Sequence, residues 1–345
     1  MKKPRLRTVV TAIACVLTVA PAAAQLRIVT YNTLDGATNN TRLVLEAIGD
    51  EVFGGIAKPI DILLLQEQDE PFTTTQAFVN QLNGIYGAGT YQRGTIATGP
   101  SFSSLRQGVV YNTQTVTLLE ETTVGDAGGS PRQPREALRT KFRPVGYDSR
   151  SDFYIYNSHF KAGSGSSDFD RRTVEAEALR EDADALGDDT HVIFAGDFNL
   201  RSSLDEAFQE LVSPGAAQAF DPADFPGQWK NNFGARTVHT HGGSDVDDRF
   251  DFQLPSLEWR DGEGLDLIDG SYRAFGNNGT TYNAPVNSAS NTYPLELVEG
   301  SDLTRSGTLN ALRFASDHLP VIADYQLPSI LSADFEPLPD LFTQG

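Results

Sequence analysis

The chain is 345 residues long, carries a formal net charge of -19 at pH 7 and has one cysteine, Cys15. So acidic a balance works against loose, sequence-independent adhesion to nucleic acid or anionic membrane, but not against a phosphate substrate held by a cation and nearby Arg or Lys. With Cys15 inside an N-terminal leader, the remainder has no disulfide, zinc-thiolate site or thiol nucleophile, so its stability must come from a core, for which about 320 residues suffice.

Residues 1–24 have the form of a secretory signal peptide: Lys2, Lys3, Arg5 and Arg7, an apolar stretch from Val9 to Ala20, then Pro21-Ala22-Ala23-Ala24. Cleavage is expected after Ala24, giving a secreted (periplasmic or extracellular) product. The apolar stretch is too short to span a bilayer comfortably and no other run approaches that length, so stable membrane insertion is not expected. Strand-like runs cover Leu26–Thr30, Ile60–Leu65, Gln107–Leu119, Ala137–Phe142, Phe153–Tyr156, His191–Ala195 and Phe250–Leu254. Helical period marks Thr41–Phe53, Thr75–Leu82 and Asp170–Leu186. Strands outnumber helices and arrive mostly in pairs between them, which favours a layered α/β sandwich over an all-parallel doubly wound sheet. Gly163 to Ser167 reads as a mobile loop, Ala274 to Ser306 as a long irregular stretch, and 328–345 as a flexible tail after a domain spanning 25–327.

Six short polar signatures end or interrupt such runs: Tyr31-Asn32, Gln66-Glu67, Ser158-His159, Gly196-Asp197-Phe198-Asn199, Arg249-Phe250-Asp251 and Ser316-Asp317-His318. Strand ends on a packed sheet are rigid, so groups delivered there converge with little ordering cost. The set is carboxylate, amide and imidazole, with no Ser or Cys nucleophile in a recognisable setting. That inventory suits a hard divalent cation and an activated water acting on a phosphate ester. Taken singly, each residue has a plainer reading: Asn32 as a turn residue, Glu67 as a salt-bridged strand end, His159 as a packed structural histidine. His239 and His241 have metal-pair spacing, but without a third ligand at helical spacing they read as structural rather than as a separate zinc site.

Taken in order, these signatures resemble the endonuclease/exonuclease/phosphatase superfamily, over about residues 26 to 327. The resemblance implies two mixed β-sheets packed face to face and flanked by helices, a four-layer α/β sandwich with the site at one edge. It implies that Glu67 is the main metal ligand for Mg2+ or Mn2+, helped by Asn32, with Asp317 orienting metal-bound water or a second cation, Ca2+ being one candidate. Asp197 would deprotonate the attacking water, Asn199 would hold phosphate oxygens, and His159 would contact the scissile phosphate and assist the leaving oxygen. Asp251 would fix and activate His318, which would hydrogen-bond the phosphate. Asp197 and Asn199, alternate residues of an extended segment, would share a face, and Lys161 would add charge at the phosphate if the strand of His159 continues. The chain departs from the abasic-site endonucleases, which carry an Asp two residues after the Asn where this sequence has Leu34.

The function expected from this set is divalent-metal-dependent hydrolysis of phosphodiester bonds by a monomeric extracellular nuclease. Alternatives are a sphingomyelinase-like phospholipase, a small-molecule phosphodiesterase or phosphatase, and a non-catalytic binding module of the same fold. Trp229 and Trp259, the only tryptophans, lie in no amphipathic hairpin suited to entering a bilayer, which weighs against lipid.

Overall fold

Alternation of apolar side chains on the strands determines how the layers stack. In the computed structural model, which describes residues 25–328 apart from positions 35, 70–71, 97, 99–104, 126–134 and 243, Ile28, Ile62, Leu64, Ile155, Ile193 and Ala323 point into one core between two sheets. Their neighbours Val29, Leu63, Leu65 and Ile322 face a second core. Tyr156, Val192 and Phe194 face a third. A period of two on strands buried on both faces demands exactly such paired cores, and helices close the outer two. The expected leader and all but the first residue of the expected tail lie outside the described residues.

The larger sheet has seven strands in the order β10-β12-β1-β2-β4-β3, with β11 paired to β12: β1 (Gln25–Asn32), β2 (Ile62–Gln68), β3 (Tyr91–Arg93), β4 (Arg106–Asn112), β10 (Asp266–Leu267), β11 (Arg273–Ala274) and β12 (Val321–Gln326). The smaller runs β5-β6-β7-β8-β9: β5 (Val116–Val124), β6 (Ala137–Pro144), β7 (Phe153–His159), β8 (His191–Asp197) and β9 (Asp251–Pro255). Both are mixed, because β1 and β2 are parallel, as are β7 and β8, while the other pairs are antiparallel. Helices α1 (Asn39–Asp50), α2 (Thr74–Tyr86) and α5 (Arg305–Ala315) cover the larger sheet, and α3 (Ser166–Asp184) and α4 (Glu206–Val212) the smaller. This is the four-layer α/β sandwich.

Two local outcomes differ from the sequence reading, and a third, the irregular Asn-rich stretch, is as expected. The run Gln107–Leu119 divides into β4 and β5, which belong to different sheets, because Asn112 turns the chain: its Oδ1 accepts the Gln114 N–H and its carbonyl the Thr115 N–H. Ser166 begins α3, so the expected Gly-Ser loop is partly helical. The long Asn-rich stretch is tied to the core by buried amides: Asn291 donates to the Gly276 and Val286 carbonyls, and Asn277 to those of Arg236 and His239.

The two sheets are pinned together by polar contacts set inside the apolar core. Buried Asn157 on β7 crosses to the larger sheet, donating to the carbonyls of Leu65 (3.1 Å) and Gly108 (2.9 Å), beside the register shift between β2 and β4. It also accepts from Gln66 Nε2 at 2.7 Å. Gln253 on β9 does the same for the carbonyls of Ile28 and Val321. Such bonds are directional where apolar packing is not, so they select one register of sheet on sheet. Asn157→Leu would remove three hydrogen bonds, to the carbonyls of Leu65 and Gly108 and from Gln66, in a dry core; the expected loss is about 3 kcal/mol or more of unfolding free energy, read by urea denaturation, against under about 1 kcal/mol if water replaced the amide.

Candidate active site

Three of the singled-out residues stand side by side at one end of the smaller sheet. His159 is opposite Asp197 in the β7/β8 register, and Asp197 is opposite Asp251 in the β8/β9 register. On the larger sheet Asn32 pairs with Gln66, placing Glu67 next to it. Asn32 joins the two rows: its Nδ2 donates to Glu67 Oε1 and to Asp197 Oδ2, each at 3.0 Å. Its Oδ1 accepts the Leu34 N–H, so Asn32, expected among the metal ligands, here clamps two carboxylates with its amide nitrogen.

Local backbone geometry supplies the aim. Glu67 has φ 55 at the β2 bulge, which turns its carboxylate out of the strand. Gly196 has φ 135, and a Cβ there would lie 1.9 Å from the Ser158 carbonyl oxygen, so only glycine lets β8 lie this close to β7 beside His159. Asn199 reaches the site by a different route from strand alternation: β8 ends at Asp197, and Asn199 at φ 50 gives its N–H to Asp197 Oδ1 and its Nδ2 to the Phe160 carbonyl. Non-glycine residues at positive φ cost free energy that the surrounding structure must offset, and two of the seven among the described residues, Glu67 and Asn199, are expected site residues.

On the far side, Ser316 Oγ donates to the Asn32 carbonyl (2.7 Å) and accepts the His318 N–H, docking the segment before β12 against β1. His318 Nδ1 is 2.8 Å from Asp251 Oδ2, and its Nε2 is 3.7 Å from Asp197 Oδ2. Thr240, which the sequence reading did not single out, braces this pair: its hydroxyl donates to Asp251 Oδ2 and accepts the backbone N–H groups of Phe250 and Asp251. Asp317 is half exposed, 4.0 Å from His318 Nε2. His159 Nε2 lies 3.5 Å from Asp197 Oδ2 and 3.9 Å from Glu67 Oε1.

Lys161 is placed elsewhere. Because β7 ends at His159, the extension that would have put Lys161 on the same face stops, and its Nζ pairs with Asp168 at 3.1 Å. The nearby cation is instead Arg135, whose Nη1 donates to the carbonyls of His159 and Phe160 and whose charge acts on Asp197 and Glu67. The only signal for it in the sequence is an Arg just before a strand that pairs with β7. His239 and His241 part company. His239 is buried with Nε2 against the Trp229 carbonyl, a structural role as expected, whereas His241 lies beside His318, ring centroids 4.6 Å apart.

Burial and like charge set the protonation states. Burial, with the Asp251 charge adding to it, pushes the Asp197 carboxyl up to about 7 despite the opposing pull of His318. Burial alone would lower His318, but Asp251 and Asp197 outweigh it and raise the imidazole to about 10. Burial, the Arg135 charge and His318 hold His159 well below its ordinary value, so that ring is neutral. Two converging carboxylates whose charge the protein only partly compensates, one of them reluctant to ionise, are a donor set that a divalent cation completes. Glu67, His159 and Asp197 offer donor atoms within 4.8 Å of one another, as do His241, Asp317 and His318.

The comparisons with known proteins concern this fold. No protein-family model and no curated protein sequence matches the chain. Solved structures do. The human Nocturnin catalytic domain with bound sulfate aligns at 17% identity and TM-score 0.54, over 88% of this chain and 95% of that one. Endonuclease/exonuclease/phosphatase proteins from Bacteroides thetaiotaomicron (16% identity, TM-score 0.52, 89% and 96%) and Bacteroides vulgatus (15%, 0.52, 88% and 100%) align similarly. The chain therefore has the fold of the endonuclease/exonuclease/phosphatase proteins, and the architecture implied by the sequence signatures is the observed one.

The shifted groups give a signed expectation for the metal-free protein. Asp197 and His318 both hold protons more tightly folded than unfolded, so their contribution to stability is present at low pH and lost as pH rises, through about 4 to 7 for the carboxyl and about 6.5 to 10 for the imidazole. In EDTA, the melting temperature should fall between pH 7 and 9.5, and Asp251→Asn, which removes the main charge holding the His318 proton, should flatten that fall. An unchanged slope in the variant would show that His318 is not the titrating group.

Proposed function

We propose that the protein is a divalent-metal-dependent phosphoesterase, an exported nuclease acting on phosphodiester bonds. The observation that carries the reading is the Asn32 clamp: one amide nitrogen holds a carboxylate from each sheet, Glu67 and Asp197, with His159 and His318 around Asp197. Glu67 would hold Mg2+ or Mn2+, and the ion would supply neutralisation of phosphate charge. Asp197 Oδ2 faces Asn32 Nδ2, His159 Nε2 and His318 Nε2, so this oxygen is placed to take a proton from an attacking water. His318, its Nδ1–H directed to Asp251, keeps Nε2 for a phosphoryl oxygen. Neutral His159 offers Nε2–H to the leaving oxygen, and Arg135 adds positive charge behind it. Asn199 positions Asp197 through its N–H. Export rests on the 1–24 leader, and among the described residues no helix is long and apolar enough to cross a membrane.

A second reading, a phospholipid or other amphiphilic phosphodiester, draws on two exposed apolar side chains close in sequence to site residues. Leu34, two residues beyond Asn32, is 51% exposed, and Phe314, two before Ser316, is 59% exposed.

The purified chain, assayed with Mg2+, Mn2+ or Ca2+ against plasmid DNA, RNA, sphingomyelin and bis-p-nitrophenyl phosphate, separates the two. Expected are hydrolysis of nucleic acid abolished by EDTA and a fall in kcat of about 10³ in Asp197→Ala with the fold retained. Chelator-insensitive turnover, or full activity in Asp197→Ala, would overturn the proposal; preference for sphingomyelin would transfer it to the second reading.

A further inference from the structure

His241 stands outside the proposed chemistry yet is built into the same cleft. Two short segments are zipped antiparallel: Leu319 N–H donates to the Thr240 carbonyl (2.6 Å) and Gly242 N–H to that of Asp317 (2.7 Å), so His241 and His318 lie side by side with ring planes 70° apart. Gly242, at φ 113, allows the turn that follows, since a Cβ there would lie 1.8 Å from the Asp245 carbonyl oxygen. The position of the His241 ring is thus fixed by backbone on both sides. Its Nδ1 is buried with no hydrogen-bond partner, which leaves Nε2 as the nitrogen turned outward, 3.8 Å from Asp317 Oδ2. His318 Nε2 is 4.0 Å from Asp317 Oδ1.

We propose that His241, Asp317 and His318 form a second cation site, of different character from the carboxylate site at Glu67, that takes a borderline transition metal such as Zn2+ and thereby inhibits Mg2+-supported hydrolysis. Two imidazoles and one carboxylate suit zinc, which accepts nitrogen donors that Mg2+ avoids. A tetrahedral zinc with bonds of about 2.0–2.1 Å places its donors about 3.3 Å apart. The two histidine-to-carboxylate separations, 3.8 Å to Oδ2 and 4.0 Å to Oδ1, exceed this by less than about 1 Å, and one donor atom from each of the three residues lies within 4.8 Å of the others, so binding needs a small closing movement of the half-exposed Asp317 and of the two rings. The supporting contacts are those of a metal-bound histidine: His318 Nδ1 faces Asp251, which Thr240 holds in turn, so Nε2 is the nitrogen presented to an ion, which must displace the proton that nitrogen carries in the metal-free protein. His239 shows by contrast what a structural histidine does on this segment, its Nε2 engaged by a backbone carbonyl. Inhibition follows because zinc would occupy the same His318 Nε2 that the phosphate needs; this consequence rests on the phosphoesterase reading, whereas the binding does not.

Zinc titration by calorimetry in excess Mg2+, with bound zinc counted after desalting, tests the site on wild type, His241→Asn, Asp317→Asn and Glu67→Gln, each checked for fold by circular dichroism. Expected are one zinc per chain, affinity weakened at least about tenfold in His241→Asn and Asp317→Asn and changed less than about twofold in Glu67→Gln. The zinc concentration for half-inhibition should rise by the same factor in His241→Asn. Equal affinity in the first two variants, loss in Glu67→Gln, or no zinc retained by wild type would overturn the site. Should His241→Asn not fold, the exposed Asp317 substitution decides alone. If no substrate is hydrolysed, the inhibitory consequence falls with the phosphoesterase reading while the zinc count still judges the site.

Discussion

Amide bonds between the two sheets are the constraint on which the site depends. Glu67 and Asn32 come from one sheet, His159, Asp197 and Asp251 from the other, and no covalent or local feature of the chain holds the two rows opposite each other. Apolar packing between the sheets is non-directional and tolerates sliding. Asn157 and Gln253 remove that freedom, because a displacement of one residue would break their bonds to four backbone carbonyls in a dry core. The Asn32 clamp at the edge can then form without bearing the cost of aligning the sheets.

Strain and charge are concentrated where that alignment delivers them. Glu67 occupies a left-handed backbone conformation that its residue type disfavours, Asn199 one that Asn tolerates better, and Gly196 permits an approach that any Cβ would block. Next to them, buried Asp197 resists ionisation while His318 is held protonated by Asp251 and Asp197. These are opposed displacements of neighbouring titratable groups, the pattern by which one pocket acquires both a proton acceptor and a cationic donor. A protein with a net charge of -19 places Arg135 behind this pocket, so the local field at the site differs from that of the whole surface.

Much of this was legible in residue order. Strand-ending polar residues single out Glu67 and Asp197, because a buried strand announces itself by its apolar run and the polar residue at its end must emerge there; Asp251, which opens β9, and His318, which precedes β12, were singled out by the order of the signatures. Helices were legible where the period was strong, as in α1, whose capping box of Thr38 and Thr41 lies just ahead of the periodic residues. The short α4, and α5 within and beyond an Asn- and Ser-rich stretch, were not, since their formation depends on packing against α3 and α1 rather than on local preference.

The sequence alone determined the layered α/β class, the chemical inventory of carboxylates, amides and imidazoles, and the resemblance that orders them, since apolar period and residue type are local properties. Tertiary structure alone decided that Asn32 clamps with its nitrogen, that Lys161 is spent on Asp168 while Arg135 stands in the site, and that His241 joins His318 instead of His239. Each of those outcomes turns on where a strand ends or a segment folds back, which is set by contacts between residues far apart in the chain.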